Sequence, residues 1–486
     1  MTICKKIQLW PFLLFETILL GLAGACASDI PPVARALLLM SFAWVPFLIA
    51  LFLLHRQDPG PRSLVLLLGG ALMIRLALFF PPLSLSDDAY RYLWDGRVTL
   101  AGVNPYRHAP SSADLTFLRD ASWSKINHPD VRTVYPPLAQ AGFALLTWVW
   151  PSVHVFRVSA ALLDLLLVFL ILGAANGSFG PPWKKEALVA AASYGWCPLP
   201  AVETALAGHI EPLAALLLLL ALLAARQGKR SAGAWLALST AVKILPLLAL
   251  PLAARRIRSM WLSAPLLLAL LYLPFLSAGW EVLGGLDAMA RRWRGNEGVF
   301  HLLDKAAGVA VTAVDAEARR TGIIHFPRLD KPLSSLRGTF LDPHKSWSKD
   351  STLPAGAFPV ADLAEGAAKA AAFALIVVLI FLLLRSRTEP LKAAALIMAA
   401  TVMLLPVIHP WYLLLFAPLW AACGMRSWLW LALTLPWSYL ALDGWVGRGE
   451  WILPAWVQPM EFIPFFIAFA AEQYLESRTD DAQGVS

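Results

Sequence analysis

Apolar stretches of 16 to 24 residues recur from one end of the chain to the other. Representative ones are 10–27, 34–54, 63–80, 187–206, 259–277, 367–384 and 453–471. Each is about as long as a helix must be to cross a hydrocarbon core. Two long polar segments, 81–138 and 278–366, interrupt them. The pattern predicts an all-α fold: a polytopic membrane helix bundle of about twelve spans, 1–486 forming a single integral membrane domain, with two long external loops carrying short helices. Composition agrees, with 58% hydrophobic and 15% charged residues among 486, against roughly half apolar and a quarter charged in a soluble domain.

The net charge of +8 changes the picture only through its location. Residues 81–138 hold six acids and six Lys/Arg, and residues 278–366 hold eleven of each. The excess therefore lies in short connections, around Lys5/Lys6, Arg56/Arg62, Lys184/Lys185, Arg226/Lys229/Arg230, Arg255/Arg256/Arg258, Arg385/Arg387/Lys392 and Arg426. That is the membrane-orientation signal, not a nucleic-acid footprint. It places both termini in the cytoplasm and both long polar segments outside, with the first apolar segment, 10–27, a retained signal anchor. Residues 138–151 then form a short helix dipping in from outside. Residues 232–253 carry three basic residues on each flank and either re-enter, broken by Pro246 and Pro251 with Lys243 near the turn, or cross conventionally. The four scattered cysteines suggest neither a disulfide framework nor a zinc site.

Candidate chemistry is concentrated in the first external loop, 81–138. Ser86 is expected to cap a helix running to about Leu100 and ended by Gly102. Asp87 and Asp88 in its first turn suit a general base, since like charges close together raise one pKa; acids at a helix N-terminus are also an ordinary structural preference. Asp88, Arg91, Tyr92 and Asp95 share one helix face, and Asp87, Tyr90, Arg91 and Trp94 another. Acids, arginine and aromatic rings on one surface suit a sugar.

Three further motifs place ionisable groups at membrane depth or at span ends. The first is Gly208-His209-Ile210-Glu211-Pro212, at the external end of the 187–206 span; an interfacial loop meeting water is its plain alternative. The second is Lys243 in an apolar run, fit for an anion or for pairing with Glu16, Asp164 or Glu203. The third is His409-Pro410-Trp411-Tyr412, whose Trp and Tyr also suit an interfacial belt. Asn296, Glu297 and His301 form a weaker group. Arg291, Arg292 and Arg294 offer phosphate contacts but read first as a solvated run. Arg75 and Asp164 read as structural, one snorkelling and one pairing inside the bundle.

Taken in order, these motifs resemble the GT-C superfamily of glycosyltransferases, especially bacterial polyprenyl-phosphate-mannose-dependent mannosyltransferases, over roughly residues 63–425. The carriers are Asp87-Asp88, Tyr90 and Tyr92, Gly102 to Tyr106 (including Asn104), Tyr135-Pro136-Pro137, Gly208 to Glu211, Lys243, and His409 to Tyr412. Ile210 departs from the Asn common in the family. The resemblance implies inverting transfer of a sugar, with mannose leading, from a polyprenyl-phosphate donor to a hydroxyl of a glycan or lipid acceptor. The site is then on the external (periplasmic) side of a bacterial inner membrane. One of Asp87 and Asp88 is implied as general base. The other orients the acceptor hydroxyl or helps hold a divalent cation, the only cofactor in view. Lys243, His209 and His409 are implied to stabilise the departing lipid phosphate. The other substrate contacts that the resemblance implies are Tyr106, Tyr135, Glu211, Trp411 and Tyr412, while Arg91, Trp94, Asp95 and Asn296 are candidate contacts from the residue pattern alone. Membrane lipids are the other expected partners, and nucleic acid is not one. No GxGxxG nucleotide-sugar motif is present. A transporter or flippase of lipid-linked sugars is the main competing class, with a non-catalytic assembly subunit behind it; a transporter is expected to show an internal repeat, and none is apparent.

Overall fold

Helices of strongly apolar sequence dominate the computed structural model, which describes residues 8–26, 33–81, 85–321, 328–329, 358–386, 388–442 and 452–482. Cys4, Lys5, Lys6, Arg387 and much of the second polar segment lie outside these. The regular structure among the described residues is helical apart from a two-residue parallel pair, Arg328–Leu329 with Phe358–Pro359, and an isolated bridge between Gly295 and Val407. Among the described residues, Val33–Arg56, Val153–Asn176, Met260–Arg291 and Leu363–Arg385 are long and apolar enough to cross a membrane. The bent pair Pro198–Leu206 and Glu211–Arg226, folded at 120°, makes a fifth if taken as one span. Large side chains such as Leu262 and Trp148 point outward, 71% and 72% exposed, as lipid-facing positions do in a membrane.

The early helices are α1 (Trp10–Cys26), α2 (Val33–Arg56) and α3 (Ser63–Phe79), followed by the loop helix α4 (Asp88–Leu100). Next come α5 (Pro137–Val149), α6 (Val153–Asn176) and α7 (Lys185–Gly195). At 13 residues α5 spans only about 20 Å, too short to cross, and Pro137 starts it. Buried charge ties three of these helices together. Arg75 on α3 does not snorkel: its Nε donates to Asp164 Oδ2 on α6 at 2.8 Å, and its Nη1 donates to the Gly195 carbonyl at the end of α7. Tyr194 Oη donates to the other carboxylate oxygen at 2.6 Å. In hydrocarbon this pairing satisfies groups that no water can reach.

The expected continuous span 187–206 is broken. α7 stops at Gly195, and Pro198 opens the short helix α8 (Pro198–Ala201), which runs into a single π-helical turn, Val202–Leu206. The chain then reverses into α9 (Glu211–Arg226). A second break separates α10 (Ala232–Thr240) from a 3-10 turn (Leu245–Ala249) and α11 (Leu250–Ala254), with Lys243 in the gap. α12 (Met260–Tyr272) leads through the left-handed Gly279 to α13 (Gly284–Arg292) and α14 (Val299–Arg320). α14 packs along the helix Val360–Arg385.

α4 and α5 form the platform for the site. Gly96 lies so close to α5 that a methyl group there would run into the Thr147 hydroxyl and the Phe143 carbonyl. Ala gains about 1 kcal/mol of helix propensity over Gly, but overpacking against backbone that cannot yield costs about 1–3 kcal/mol. Gly96→Ala is therefore expected to lower the thermal unfolding midpoint of the detergent-solubilised protein; a raised midpoint would show that α4 and α5 are not in close contact.

Candidate functional site

The acidic pair sits where the chain turns into α4. Leu85 adopts a left-handed conformation (φ 66°), Asp87 takes the N-cap position, and Asp88 is the first helical residue. Ser86 stands one residue before the cap expected of it, and its hydroxyl still accepts from the Asp88 N–H at 3.3 Å. Gly102, at φ 74°, ends the helix, with the Val103 N–H returning to the Val98 carbonyl. Across from the pair, Asn127 Nδ2 donates to Asp87 Oδ1 at 2.5 Å and to Asp88 Oδ1 at 3.0 Å. Tyr135 Oη lies 3.5 Å from Asp88 Oδ2.

The break between α8 and α9 delivers the imidazole. Gly208 takes φ 79° against Arg157, whose guanidinium clasps the carbonyls of Ala205, Leu78 and Phe79. The His209 N–H returns to the Glu203 carbonyl at 3.0 Å. The His209 ring, fully buried, thus stands between two acids, with Nδ1 3.7 Å from Asp88 Oδ2 and Nε2 3.4 Å from Glu203 Oε2. Glu203 is itself capped by Tyr439 Oη at 2.9 Å.

Lys243 is brought in by the break after α10. Its partner is none of the three acids expected from sequence: Nζ pairs with the buried Glu211 at 2.7 Å, and it also sits 5.1 Å over the Tyr135 ring. From the far side of the sequence, the indole of Trp411 stacks with His209 at 4.2 Å and with His409 at 4.3 Å, and Tyr412 meets His409 edge-on. Trp411 is thereby engaged with both imidazoles.

The second polar segment closes against the same region. The Gly295 N–H donates to the Pro406 carbonyl and the Ile408 N–H to the Gly295 carbonyl, which seats Asn296 so that its Nδ2 donates to the Ile408 carbonyl at 3.3 Å. Arg294 is held by Glu297 at 2.7 Å and Asp304 at 2.8 Å, with Glu365 beyond. Burial pulls its pKa down, but Glu297 and Asp304 together outweigh that and raise it further; they occupy the guanidinium that sequence offered to a phosphate.

Other expected contacts also serve the architecture. Arg91 and Asp95, both buried, pair with each other at 2.9 Å, and Gln140 donates to Asp95. Trp94 packs with Val98, Leu115 and Ile126, while Tyr90 lies against Lys125. Asn104 donates to the Phe275 carbonyl and Ser277, and Tyr106 donates to the Tyr135 carbonyl at 2.7 Å. The G-x-N-P-Y segment thus fastens the first loop to the end of α12 and fixes Tyr135. Glu203 completes the site from nearly two turns before His209, and Asn127 and Tyr439 join it without having been expected there. Glu203 was visible as an acid in an apolar run; Asn127 and Tyr439 carry no signal that periodicity or spacing can reveal.

Asp87 is pushed up to about 7 by removal from water and then by the charge of Asp88, while Asn127 and the backbone pull the other way. Burial also raises the Tyr135 phenol, with Asp88 and Glu211 adding to it. Among the described residues no group of three His, Cys, Asp or Glu side chains is placed to hold a metal ion.

Helices able to cross a membrane and a partly buried carboxylate–imidazole–ammonium cluster at the helix breaks define the class: a helical membrane protein with a polar site. Residues 24–258 match the family model described as alpha-(1->6)-mannopyranosyltransferase, N-terminal domain. The matched stretch holds Asp87, Asp88, Asn127, Tyr135, Glu203, His209, Glu211 and Lys243, and ends before Asn296 and the His409–Tyr412 motif. No curated protein and no solved structure matched the chain.

Proposed function

We propose that the protein transfers mannose from a polyprenyl-phosphate donor to a hydroxyl of a glycan or lipid acceptor, with inversion, at the external face of the membrane. The family match supports mannosyl transfer. The observation that carries the rest is that the acidic pair and Lys243 flank one tyrosine. Tyr135 Oη faces Asp88 at 3.5 Å, and the Tyr135 ring lies under Lys243. A hydroxyl activated at the carboxylates can attack an anomeric carbon whose phosphate points toward the lysine.

In this reading Asp87 is the base, because a carboxyl near 7 is matched to proton abstraction at neutral pH. The acceptor O–H gives its proton to Asp87, and its oxygen bonds the anomeric carbon. The bond from that carbon to the phosphate oxygen breaks on the opposite face, and the electron pair leaves with the lipid phosphate. Lys243, pre-set by Glu211, meets the growing negative charge. Asp88 and His209 orient the hydroxyl. The outward-facing apolar surfaces of α5 and α12 suit a donor that arrives through the bilayer. An arrangement of about twelve spans with both termini cytoplasmic is supported by the basic short connections.

Two expectations follow. The first is that kcat/KM falls about tenfold per pH unit below pH 7 as Asp87 protonates, because the active form is the ionised one; a profile flat from pH 5 to 8 would remove Asp87 from this role. The second concerns products. Purified protein with a β-linked polyprenyl-phosphate-mannose should give an α-linked product by NMR and no transfer from a nucleotide sugar. A β-linked product would overturn inversion, and transfer from the nucleotide sugar would overturn the lipid donor.

A further inference from the structure

Asn127 lies in a part of the first loop that no motif marks, about forty residues beyond the acidic pair, yet its amide bridges both carboxylates. The segment around it is built to hold it there. Ile126 is anchored in the cluster of Trp94, Val98 and Leu115. His128 takes a left-handed conformation (φ 45°) and packs against Trp293 at 4.5 Å. One side neighbour is thus fixed to α4 and the other to the second loop, so Asn127 is clamped over the N-terminus of α4.

We infer that Asn127 is a positioning residue of the reaction: by donating to Asp87 Oδ1 and Asp88 Oδ1 together, it fixes both carboxyl planes and sets which oxygens remain free for the acceptor hydroxyl. This rests on the transferase reading above. The chemistry is general. Two adjacent carboxylates repel, and a neutral donor shared between them holds them in one geometry without adding a charge that would remove the base. A lysine at the same place would neutralise the pair, and an acid would repel it. The charged and titratable groups facing the pair from other elements include His209 and Tyr135, with Glu203, Glu211 and Lys243 behind them; Lys125 is turned to Tyr90.

The test uses the full chain in nanodiscs and two readouts. Protonated carboxyls react with a hydrophobic carbodiimide, so modification of Asp87, quantified by peptide mass spectrometry against pH, reports its state without any turnover. The wild type should be half-modified near pH 7. Asn127→Ala should move that midpoint up by about one pH unit, the loss expected when a charged acceptor loses a donor. Asn127→Asp should move it further, and Asn127→Gln should return it part of the way. With polyprenyl-phosphate-mannose, Asn127→Ala should lower kcat at least tenfold with donor KM within twofold of wild type. An unchanged modification midpoint in Asn127→Ala, or a loss confined to KM, overturns the inference. If the wild type transfers no sugar while the midpoint still shifts, the transferase reading fails and the contact of Asn127 with the pair stands.

Discussion

Asp87→Asn is expected to lower kcat for sugar transfer by about 10²–10⁴-fold, the span usually lost with a general base, with donor KM little changed. Asn keeps the size of the side chain and cannot take a proton. The loss is confined to chemistry because the Asp87 side chain makes no capping hydrogen bond to α4 and the amide oxygen of Asn can still accept from Asn127, so the fold does not depend on its charge. Removing a carboxylate held near 7 also relieves repulsion on Asp88, so the variant should unfold at the wild-type temperature or slightly above. Steady-state kinetics and thermal unfolding on one preparation separate these effects. A folded Asp87→Asn variant with near-wild-type kcat would assign the proton transfer elsewhere, with Asp88 the next choice.

Lys243→Met carries the second large effect, in two parts. Without the ammonium, the departing lipid phosphate loses its cation, and kcat should fall about 10²–10³-fold, as when one pre-set electrostatic partner is removed. The same change strands Glu211, which is fully buried and pairs with Lys243 at 2.7 Å. Breaking such a pair from one side costs about 3–5 kcal/mol, so the unfolding midpoint should drop clearly. The double variant Lys243→Met/Glu211→Gln removes the stranded charge. It should recover most of the stability and none of the activity. Recovery of activity in the double variant would mean that Lys243 serves only to neutralise Glu211.

Much of the site is legible in the sequence because chemistry at membrane depth is conspicuous. Asp87-Asp88, His209-Ile210-Glu211, Lys243 and His409-Pro410-Trp411-Tyr412 stand out as polar residues beside apolar runs, and the structure brings them together. Pairings are another matter. Lys243 chooses Glu211 because both sit at helix breaks that face each other, and neither break is a simple function of hydropathy: α7 gives way at Trp196–Pro198 in a stretch as apolar as any span. Arg75 meets Asp164 across two helices, a three-dimensional coincidence that a linear reading turns into snorkelling. The G-x-N-P-Y segment carries a second role that spacing does not show, since Asn104 and Tyr106, which look like sugar ligands, fasten one loop to another. Asn127 sits in a polar loop among many polar residues, and only the fold singles it out.

The most direct test of the account is a transfer assay with the purified chain in nanodiscs, radiolabelled polyprenyl-phosphate-mannose and a membrane lipid extract. Wild type should put label into a new product and Asp87→Asn should put in none. Absence of product with mannose and with every other polyprenyl-phosphate sugar, while the protein moves the labelled lipid between leaflets, would contradict it and establish a transporter instead.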